Sequence, residues 1–198
     1  MLEIKNAALR YGAETVFSDL NLRLAPGERL AVLGPSGCGK TSLLRLIAGL
    51  ERPAAGSVRM GTERLAVMFQ EPRLLPWRTA AENVNLVLSD RPATLPQALA
   101  WLERLGIGPE AAGKRPDALS GGMQQRVALA RTLALGGELL LLDEPFKALD
   151  AASRDRVMAE TDRASRGAAV LLVTHDPAEA EALGCRVRMF QELRYFVG

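Results

Sequence analysis

Hydrophobic and polar positions divide this chain into short strand-like runs and longer helical stripes. Alternating runs typical of half-exposed strands occupy residues 2–5, 7–10 and 20–24. Apolar runs typical of strands buried on both faces occupy residues 29–33, 139–142 and 168–173. Further strands are predicted at residues 57–60, 65–69, 186–190 and 193–197. This mixture of exposed and fully buried strands, separated by helical stripes, predicts an α/β fold.

Helical spacing of apolar residues predicts the remaining elements. Helices are expected over residues 42–48, 80–88, 95–105, 121–135 and 151–164, with a short one after 177. Thr79 is a candidate cap for the second of these, with Glu82 at the capping-box position. We therefore expect one domain over residues 1–198. Its core would lie in residues 1–70 and 120–198, with a helical subdomain in 71–119.

The composition excludes some classes of function but does not indicate a particular one. The 198 residues are 48% apolar and 24% charged, enough for one α/β core. The net charge of +2 is too small to indicate a nucleic-acid partner. Cys38 and Cys185 are the two cysteines, so no disulfide framework is implied. The N-terminus lacks the features of a signal peptide, and no apolar run reaches the ~18 residues that span a bilayer. Another chain would supply any membrane-spanning part.

The most informative motif follows the buried strand at 29–33. It fits G-x-x-x-x-G-K-[ST] throughout and comprises Gly34, Pro35, Ser36, Gly37, Cys38, Gly39, Lys40 and Thr41, followed by Ser42. Glycines allow successive N–H groups to point at one anion, and the following helix adds partial positive charge. Lys40 can reach terminal phosphates, and the Thr41 hydroxyl can ligate magnesium. A glycine-rich turn with a chance lysine is the alternative. The flanking strand and helix favour a nucleoside triphosphate site.

A second candidate anion site lies at the start of the helix predicted over 121–135. Ser120, Gly121 and Gly122 would present a hydroxyl and free N–H groups at a helix N-terminus. The alternative is a serine that only caps the helix. Four leucines then lead to Asp143 and Glu144. Adjacent carboxylates are usually solvated surface charges, but a buried strand directly before them favours a functional pair.

His175 is the single histidine of the chain and follows the last wholly apolar strand. A lone histidine is more often structural than catalytic. Its place at the predicted carboxyl edge of a parallel sheet, where such folds bind ligands, favours a functional role instead.

The motif at residues 34–41 has the P-loop pattern. Together this P-loop, the segment 119–126 and the acidic pair after four leucines closely resemble the ABC-type ATPase signature. Gln70 after a strand, Asp150 after the acidic pair and His175 follow in the order found in that family. The resemblance covers essentially the whole chain. It implies a P-loop NTPase fold of the ABC ATPase type: a mixed central sheet, an N-terminal antiparallel β portion and a helical subdomain insert.

The resemblance also implies a role for each motif residue. Glu144 would polarise the attacking water, His175 would orient it, and Gln70 would sense both water and magnesium. The implied magnesium ligands are Thr41, Gln70 and Asp143. Besides the loop residues 34–42, the implied nucleotide contacts are Tyr11, Ser120, Gly121, Gly122 and Asp150. Tyr11 would stack on adenine, although a tyrosine at a strand end is more often a packing residue.

ATP and Mg²⁺ are the implied cofactors, and a second copy of the chain is the implied partner in an ATP-sandwich dimer. Two classes remain: a transporter subunit, or an ABC ATPase that acts on DNA or ribosomes. Only about 80 residues separate Lys40 from Ser120, without heptads, and the chain holds one cassette, which favours the transporter. Such a subunit would lie peripherally on the cytoplasmic face of the inner membrane. Its partners would be integral membrane permease subunits and, indirectly, a solute-binding protein, with no nucleic acid.

The loop 70–77, with two prolines and Trp77, is similar to that of the nitrate, sulfonate and taurine uptake group, which implies a bacterial importer. The chain departs from the family pattern in three places. The segment before Gln70 is shorter than usual, so a trimmed hairpin is expected there. The last predicted strands lie close to the end of the given sequence, and no accessory regulatory domain is expected. Lys147 stands where a small residue is common, and we expect it either to tune the dimer interface or to weaken its closure.

Overall fold

The computed structural model describes residues 2–88 and 94–194. Its strands are β1 (Leu2–Tyr11), β2 (Glu14–Leu24), β3 (Arg29–Leu33), β4 (Ala55–Met60), β5 (Leu65–Met68), β6 (Leu139–Asp143), β7 (Ala169–Thr174) and β8 (Arg186–Met189). Its helices are α1 (Lys40–Ile47), α2 (Ala80–Asn85), α3 (Leu95–Arg104), α4 (Pro109–Ala112), α5 (Gly121–Leu135), α6 (Ala151–Ala164) and α7 (Pro177–Ala182). Two 3₁₀ turns lie at Pro116–Ala118 and Phe190–Arg194.

The strands form two separate sheets. Five parallel strands take the order β5-β6-β7-β3-β8, and three antiparallel strands take the order β2-β1-β4. Side chains of the parallel sheet alternate between two apolar cores. In β6, Leu140 and Leu142 join the core formed with α2, α3, α5 and α6. Leu139 and Leu141 face the core formed with α1 and the antiparallel sheet. Burial on both faces explains why the sequence runs without alternation here.

The parallel sheet determines where the site lies. Leu33, at the end of β3, is paired with Thr174 of β7, and Asp143, at the end of β6, is paired with Val173. The loops after β3, β6 and β7 therefore emerge at one edge of the sheet. In open α/β sheets ligands bind at this carboxyl edge.

The helices between β5 and α5 form an insert that packs on α5. Ala80, Val84, Ala98 and Leu102 are fully buried in the same core as Val127 of α5. The predicted capping box starts α2. The Thr79 hydroxyl accepts from the Glu82 N–H at 3.2 Å, and the Glu82 carboxylate accepts from the Thr79 N–H at 2.8 Å. None of the described helices combines the length and apolar character that crossing a membrane requires.

Four predicted elements have clearly different bounds in the structure. The strand expected over 20–24 begins earlier, at Glu14. The strands expected at 2–5 and 7–10 are one strand, because Asn6 adopts a positive φ of 48° and forms a bulge without ending the pairing. The helix expected over 80–88 ends at Asn85. In place of a last strand from 193, Leu193 belongs to a 3₁₀ turn. Its buried side chain packs with Phe190 in the core of the antiparallel sheet, which the turn makes possible. Residues 195–197 lie outside the described part of the chain.

Candidate functional site

The loop after β3 closes around its own lysine. Lys40, the buried first residue of α1, donates from Nζ to the carbonyls of Gly34 at 2.7 Å and Pro35 at 2.8 Å. Gly37 and Gly39 have φ angles of 79° and 108°, which residues with a Cβ rarely adopt. A Cβ on Gly39 would also lie 2.9 Å from the Val16 side chain. The glycines therefore permit a tight cup at a helix N-terminus, the arrangement that binds phosphate.

A cleft of about 460 Å³ opens beside this loop. The structure brings ten of the predicted site residues to its walls: Tyr11, Ser36, Gly37, Gly39, Lys40, Thr41, Ser42, Gln70, Asp143 and Glu144. Gly34, Pro35 and Cys38 line a neighbouring cavity of about 420 Å³ on the other side of the loop. His175, Ser120, Gly121, Gly122 and Asp150 line neither space.

Asp143 is buried at the end of β6, and its Oδ2 atom has no hydrogen-bond partner among the described residues. Burial raises the pKa of this carboxyl, against the opposing effects of the Thr41 hydroxyl and Lys40. An unpartnered buried carboxylate oxygen beside a hydroxyl suits a hard cation. Within residues 2–88 and 94–194 no three His, Cys, Asp or Glu side chains cluster as a metal site. Mg²⁺ needs fewer, since it binds one or two carboxylates together with waters and substrate phosphates. The residues present fit magnesium.

Glu144 turns its side chain toward the cleft from a constrained backbone. Its φ angle is 45°, uncommon for a residue other than glycine, and its N–H donates to the Val173 carbonyl at 2.8 Å. Its own carbonyl accepts from Gln125 Nε2 at 3.2 Å. These bonds join β6, β7 and α5 at one residue and hold the Glu144 side chain in place.

The Glu144 carboxylate has two charged or chargeable neighbours. Oε2 lies 2.7 Å from Lys147 Nζ, and Oε1 lies 3.4 Å from His175 Nδ1. Burial acts to raise the pKa of Glu144, but Lys147 and His175 outweigh it, so the pKa is lowered. The sequence did not lead us to the Lys147 contact. The spacing of three residues between the two side chains is the signal that would have indicated it.

His175 lies on an exposed loop that an ion-pair network holds. Thr174 Oγ1 donates to Glu179 at 2.5 Å, and Arg154 of α6 donates to Glu179 at 2.6 Å and pairs with Asp176. The Ala178 N–H and Arg154 lower the pKa of Asp176. The Glu179 side chain is 2% exposed. No sequence pattern indicates the pairing of Arg154 with Glu179, because it joins α6 to α7, which are separated along the chain by β7.

Arg154→Met is expected to destabilise the chain by about 2–3 kcal/mol, because it leaves the buried Glu179 carboxylate without its cation. Urea unfolding monitored by circular dichroism measures the change. Arg64→Met is the matched control: Arg64 is 72% exposed and lies 3.7 Å from Glu138. That variant should stay within about 0.5 kcal/mol of the wild type. Equal losses in the two variants would contradict a role for the network in stability.

The second group of predicted residues lies at two helix starts. Ser120 caps α5, its hydroxyl accepting from the Met123 N–H at 3.3 Å. Asp150 caps α6, and its carboxylate accepts a hydrogen bond from the Ser153 N–H at 2.9 Å. This bond lowers the pKa of the Asp150 carboxyl. A Cβ on Gly122 would lie 2.6 Å from the Ala148 carbonyl oxygen. The start of α5 is therefore packed against the segment that leads into α6.

Gly122→Ala is expected to destabilise the fold by about 1–3 kcal/mol, because the added methyl forces the Ala148 carbonyl or the start of α5 to move. Gly121→Ala provides the control, since a Cβ on Gly121 meets nothing within 4 Å. That variant should unfold like the wild type in the same urea titration. If Gly122→Ala also unfolds like the wild type, the close packing inferred here is wrong.

Tyr11 lines the cleft and is partly exposed to solvent. Its hydroxyl donates to Glu51 at 3.2 Å, and Glu51 also pairs with Arg45 of α1 at 2.8 Å. Tyr11 is 44% exposed, so it does not pack in the core as a tyrosine at a strand end usually does.

Comparison with known proteins agrees with this geometry. A family model described as ABC transporter matches residues 17–147. The chain is 49% identical over 187 residues to the aliphatic sulfonates import ATP-binding protein SsuB of Granulibacter bethesdensis, covering 93% of this chain and 77% of that protein. It is 45% identical over 202 residues to the protein of the same name from Yersinia pestis, covering 98% of this chain and 73% of that one.

Solved structures agree as well. The dimeric post-hydrolysis state of the ATP-binding cassette MJ0796, bound to ADP and Pi, matches with a TM-score of 0.85 and 29% identity. That match covers 96% of this chain and 94% of the other. The fold class predicted from the motifs is thereby confirmed. The phosphate loop, the buried Asp143 and the helix start at Ser120 are thus parts of an ABC ATPase fold, and the chain belongs to the ABC transporter family.

Proposed function

We propose that this chain is the ATP-binding and ATP-hydrolysing subunit of an ABC importer. One observation carries the proposal: the loop around Lys40, the unpartnered oxygen of Asp143 and the carboxylate of Glu144 share one cleft. A phosphate cup, a cation ligand and a candidate base are the parts that triphosphate hydrolysis requires.

Binding is assigned to the loop and the helix that follows it. Backbone N–H groups of the loop, from Ser36 onward, and the Lys40 ammonium would hold the phosphates, while the exposed ring of Tyr11 would stack on the adenine. Thr41, Asp143 and Gln70 would hold Mg²⁺, which would neutralise charge on the phosphates. The buried position of Asp143 supports this assignment, since a carboxylate without a partner is costly unless a cation compensates it.

Hydrolysis is assigned to Glu144 and His175. Glu144 would accept a hydrogen bond from the attacking water and orient it. His175 would contact the other oxygen of the Glu144 carboxylate and hold the carboxylate in place. The distance of 3.4 Å between His175 Nδ1 and Glu144 Oε1 supports this pairing. The positive φ of Glu144 supports a functional role too, because such backbone strain clusters at active sites.

We assign a role in the ATP site of a second copy of the chain to four residues: Ser120, Gly121, Gly122 and Asp150. They do not line the cleft of their own chain, which supports a role across a dimer interface. The MJ0796 cassette is dimeric in two solved structures that match this chain. In the proposed sandwich, each ATP lies between one P-loop and the partner's Ser120 region. ATP would favour the closed dimer by binding it more tightly than the open form.

The importer class and the solute rest on the named relatives. They are aliphatic sulfonate import ATP-binding proteins, so we propose a sulfonate or similar small anion as the transported solute. Permease subunits would bind the chain at the cytoplasmic face of the membrane and would receive the solute from a binding protein. Residues 71–119 would form the helical subdomain that meets them. No feature of the cleft favours an ABC ATPase that acts on DNA or ribosomes.

The loop 70–77 has features that support its assignment to this contact. Arg131 of α5 donates to the carbonyls of Pro72 at 2.9 Å and Arg73 at 3.0 Å. The buried Asn83 accepts from the Leu75 N–H at 2.7 Å. The loop is thereby held rigid while Trp77 remains 64% exposed. Tryptophan is enriched at protein interfaces, so an exposed one on a loop with a restrained backbone supports a permease contact here.

Growth on a sulfonate tests the proposal. A strain that lacks this chain should fail to grow with an alkanesulfonate as its sulfur source and should grow normally on sulfate. The wild-type chain should restore growth, whereas Lys40→Ala should not. Normal growth of the deleted strain on the sulfonate would refute the solute class. Absence of Mg-ATP binding by the purified chain, measured by calorimetry, would refute the nucleotide site itself.

A further inference from the structure

The turn after Glu144 places Lys147 at a fixed position beside the cleft. The Lys147 N–H donates to the Glu144 carbonyl at 3.3 Å, and the Leu149 N–H donates to the Phe146 carbonyl at 3.2 Å. Phe146 is 1% exposed and anchors the turn in the core. At the far end of the turn, Asp150 caps the start of α6. The backbone of this turn is therefore held at both ends, and the lysine side chain extends from it with 47% of its surface exposed.

The ion pair between Lys147 and Glu144 is asymmetric. The Lys147 side chain is 47% exposed and the Glu144 side chain 8%. The lysine can swing toward solvent or toward another anion, whereas the buried carboxylate cannot follow it. His175 faces the other carboxylate oxygen, so Lys147 occupies the oxygen that would otherwise be free to meet a water.

We propose that Lys147 is a positioning residue that restrains Glu144, its ammonium alternating between this carboxylate and the phosphates of bound nucleotide. The inference rests on the proposed ATPase function. Lys147 lines the same cleft as Lys40 and Thr41, so an entering triphosphate competes with Glu144 for the ammonium. Lysine suits this exchange because its charge is compact and its four-carbon stem is flexible. Glu144 is free to orient water only during the fraction of time that Lys147 spends on the phosphates.

Removing the ammonium then changes rate and affinity in opposite directions. Lys147→Met keeps the length of the stem but leaves Glu144 free, so single-turnover hydrolysis should be about 3- to 10-fold faster. The phosphates lose one cationic partner, so ATP should bind about 2- to 5-fold more weakly. Lys147→Arg keeps the charge and should bring both values back toward those of the wild type. A residue that only supported the fold would lower the rate and the affinity together.

The kinetic test uses γ-labelled Mg-ATP with the full chain in excess, which detects slow hydrolysis. Lys114→Met is the matched control, because Lys114 pairs with Glu110 at 2.6 Å on the exposed surface of the helical insert. Its rate should equal that of the wild type. A Lys147→Met rate at or below the wild-type rate overturns the proposal, including the case in which neither chain hydrolyses ATP.

A second measurement tests the contact itself and needs no hydrolysis. The chain has four lysines, at positions 5, 40, 114 and 147, so ¹³C-methylation of lysines gives a simple NMR spectrum. The Lys147 resonance is the one that disappears in Lys147→Arg. Without added nucleotide it should shift in Glu144→Gln, while the Lys114 resonance should not. An unmoved Lys147 resonance overturns the proposal even if Lys147→Met fails to fold.

The two measurements separate this proposal from the proposed function. If wild-type chain binds and hydrolyses Mg-ATP but Lys147→Met is no faster, only the restraint by Lys147 is refuted. If wild-type chain does not bind Mg-ATP, the nucleotide site is refuted, whatever the NMR spectrum shows.

Discussion

Glu144→Gln is expected to bind ATP about as well as the wild-type chain and to lose about two to four orders of magnitude in turnover. Glutamine keeps the size of the side chain, and the backbone bonds to Val173 and Gln125 do not depend on the carboxylate. An amide cannot accept a proton from the attacking water. Bound ATP then persists, and the closed dimer should accumulate. Phosphate release measures the first effect, and light scattering after gel filtration with ATP measures the second.

Glu110→Gln is the control for this substitution. Glu110 is exposed and pairs with Lys114, far along the chain from the cleft. Its turnover and its association state should match those of the wild type. A Glu144→Gln chain that stays monomeric at saturating ATP would show that the sandwich dimer is the wrong description of this protein.

The second large effect is recovery of activity when two inactive variants are mixed. Lys40→Ala removes the lysine of the phosphate loop, and Ser120→Arg places a bulky cation at the start of α5. Each variant alone carries one lesion in both sites of its dimer. A mixed dimer has one intact site and one site with both lesions. Random association should therefore restore activity up to about a quarter of the wild-type value, which is the value for sites that act independently, and coupling between the sites would lower it.

A matched mixture lacks this recovery. Lys40→Ala and Asp143→Asn both damage the half of the site that lies in the cleft, so every dimer that they form has a lesion in each site. Comparison of the two mixtures by phosphate release isolates the sharing of sites between copies. Activity in neither mixture, with both variants folded by circular dichroism, would contradict the recovery that a shared site predicts.

Much of this site could be predicted from the sequence, because its parts are local. The glycines of the loop, the apolar run before Asp143 and the serine before α5 each identify a short structure by pattern alone. The meeting of Asp143 with the phosphate loop is different, since β7 lies between β6 and β3 in the sheet. That proximity was implied by the family resemblance and not by residue spacing.

The missed features depend on long-range packing. Arg154 reaches Glu179 because α6 and α7 are neighbours in the fold, which no periodicity within either helix reports. The strand expected from residue 193 has an adequate strand-like pattern. Of its residues, 193 and 194 belong instead to a 3₁₀ turn that buries Leu193 against residues from the N-terminal strands, and 195–197 lie outside the described part of the chain. Lys147 was noticed as an unusual residue, but its partner became known only from the structure of the turn.

The close approach of Gly122 to the Ala148 carbonyl has a consequence for cooperativity. No side chain separates the start of α5 from the turn that carries Lys147 and leads back to Glu144. In the proposed dimer, a displacement of Ser120 by the partner's nucleotide would therefore be passed on to the turn that carries Lys147 in the same chain. Occupancy of one ATP site should alter the geometry of the other, and hydrolysis should depend on ATP concentration with a Hill coefficient above unity.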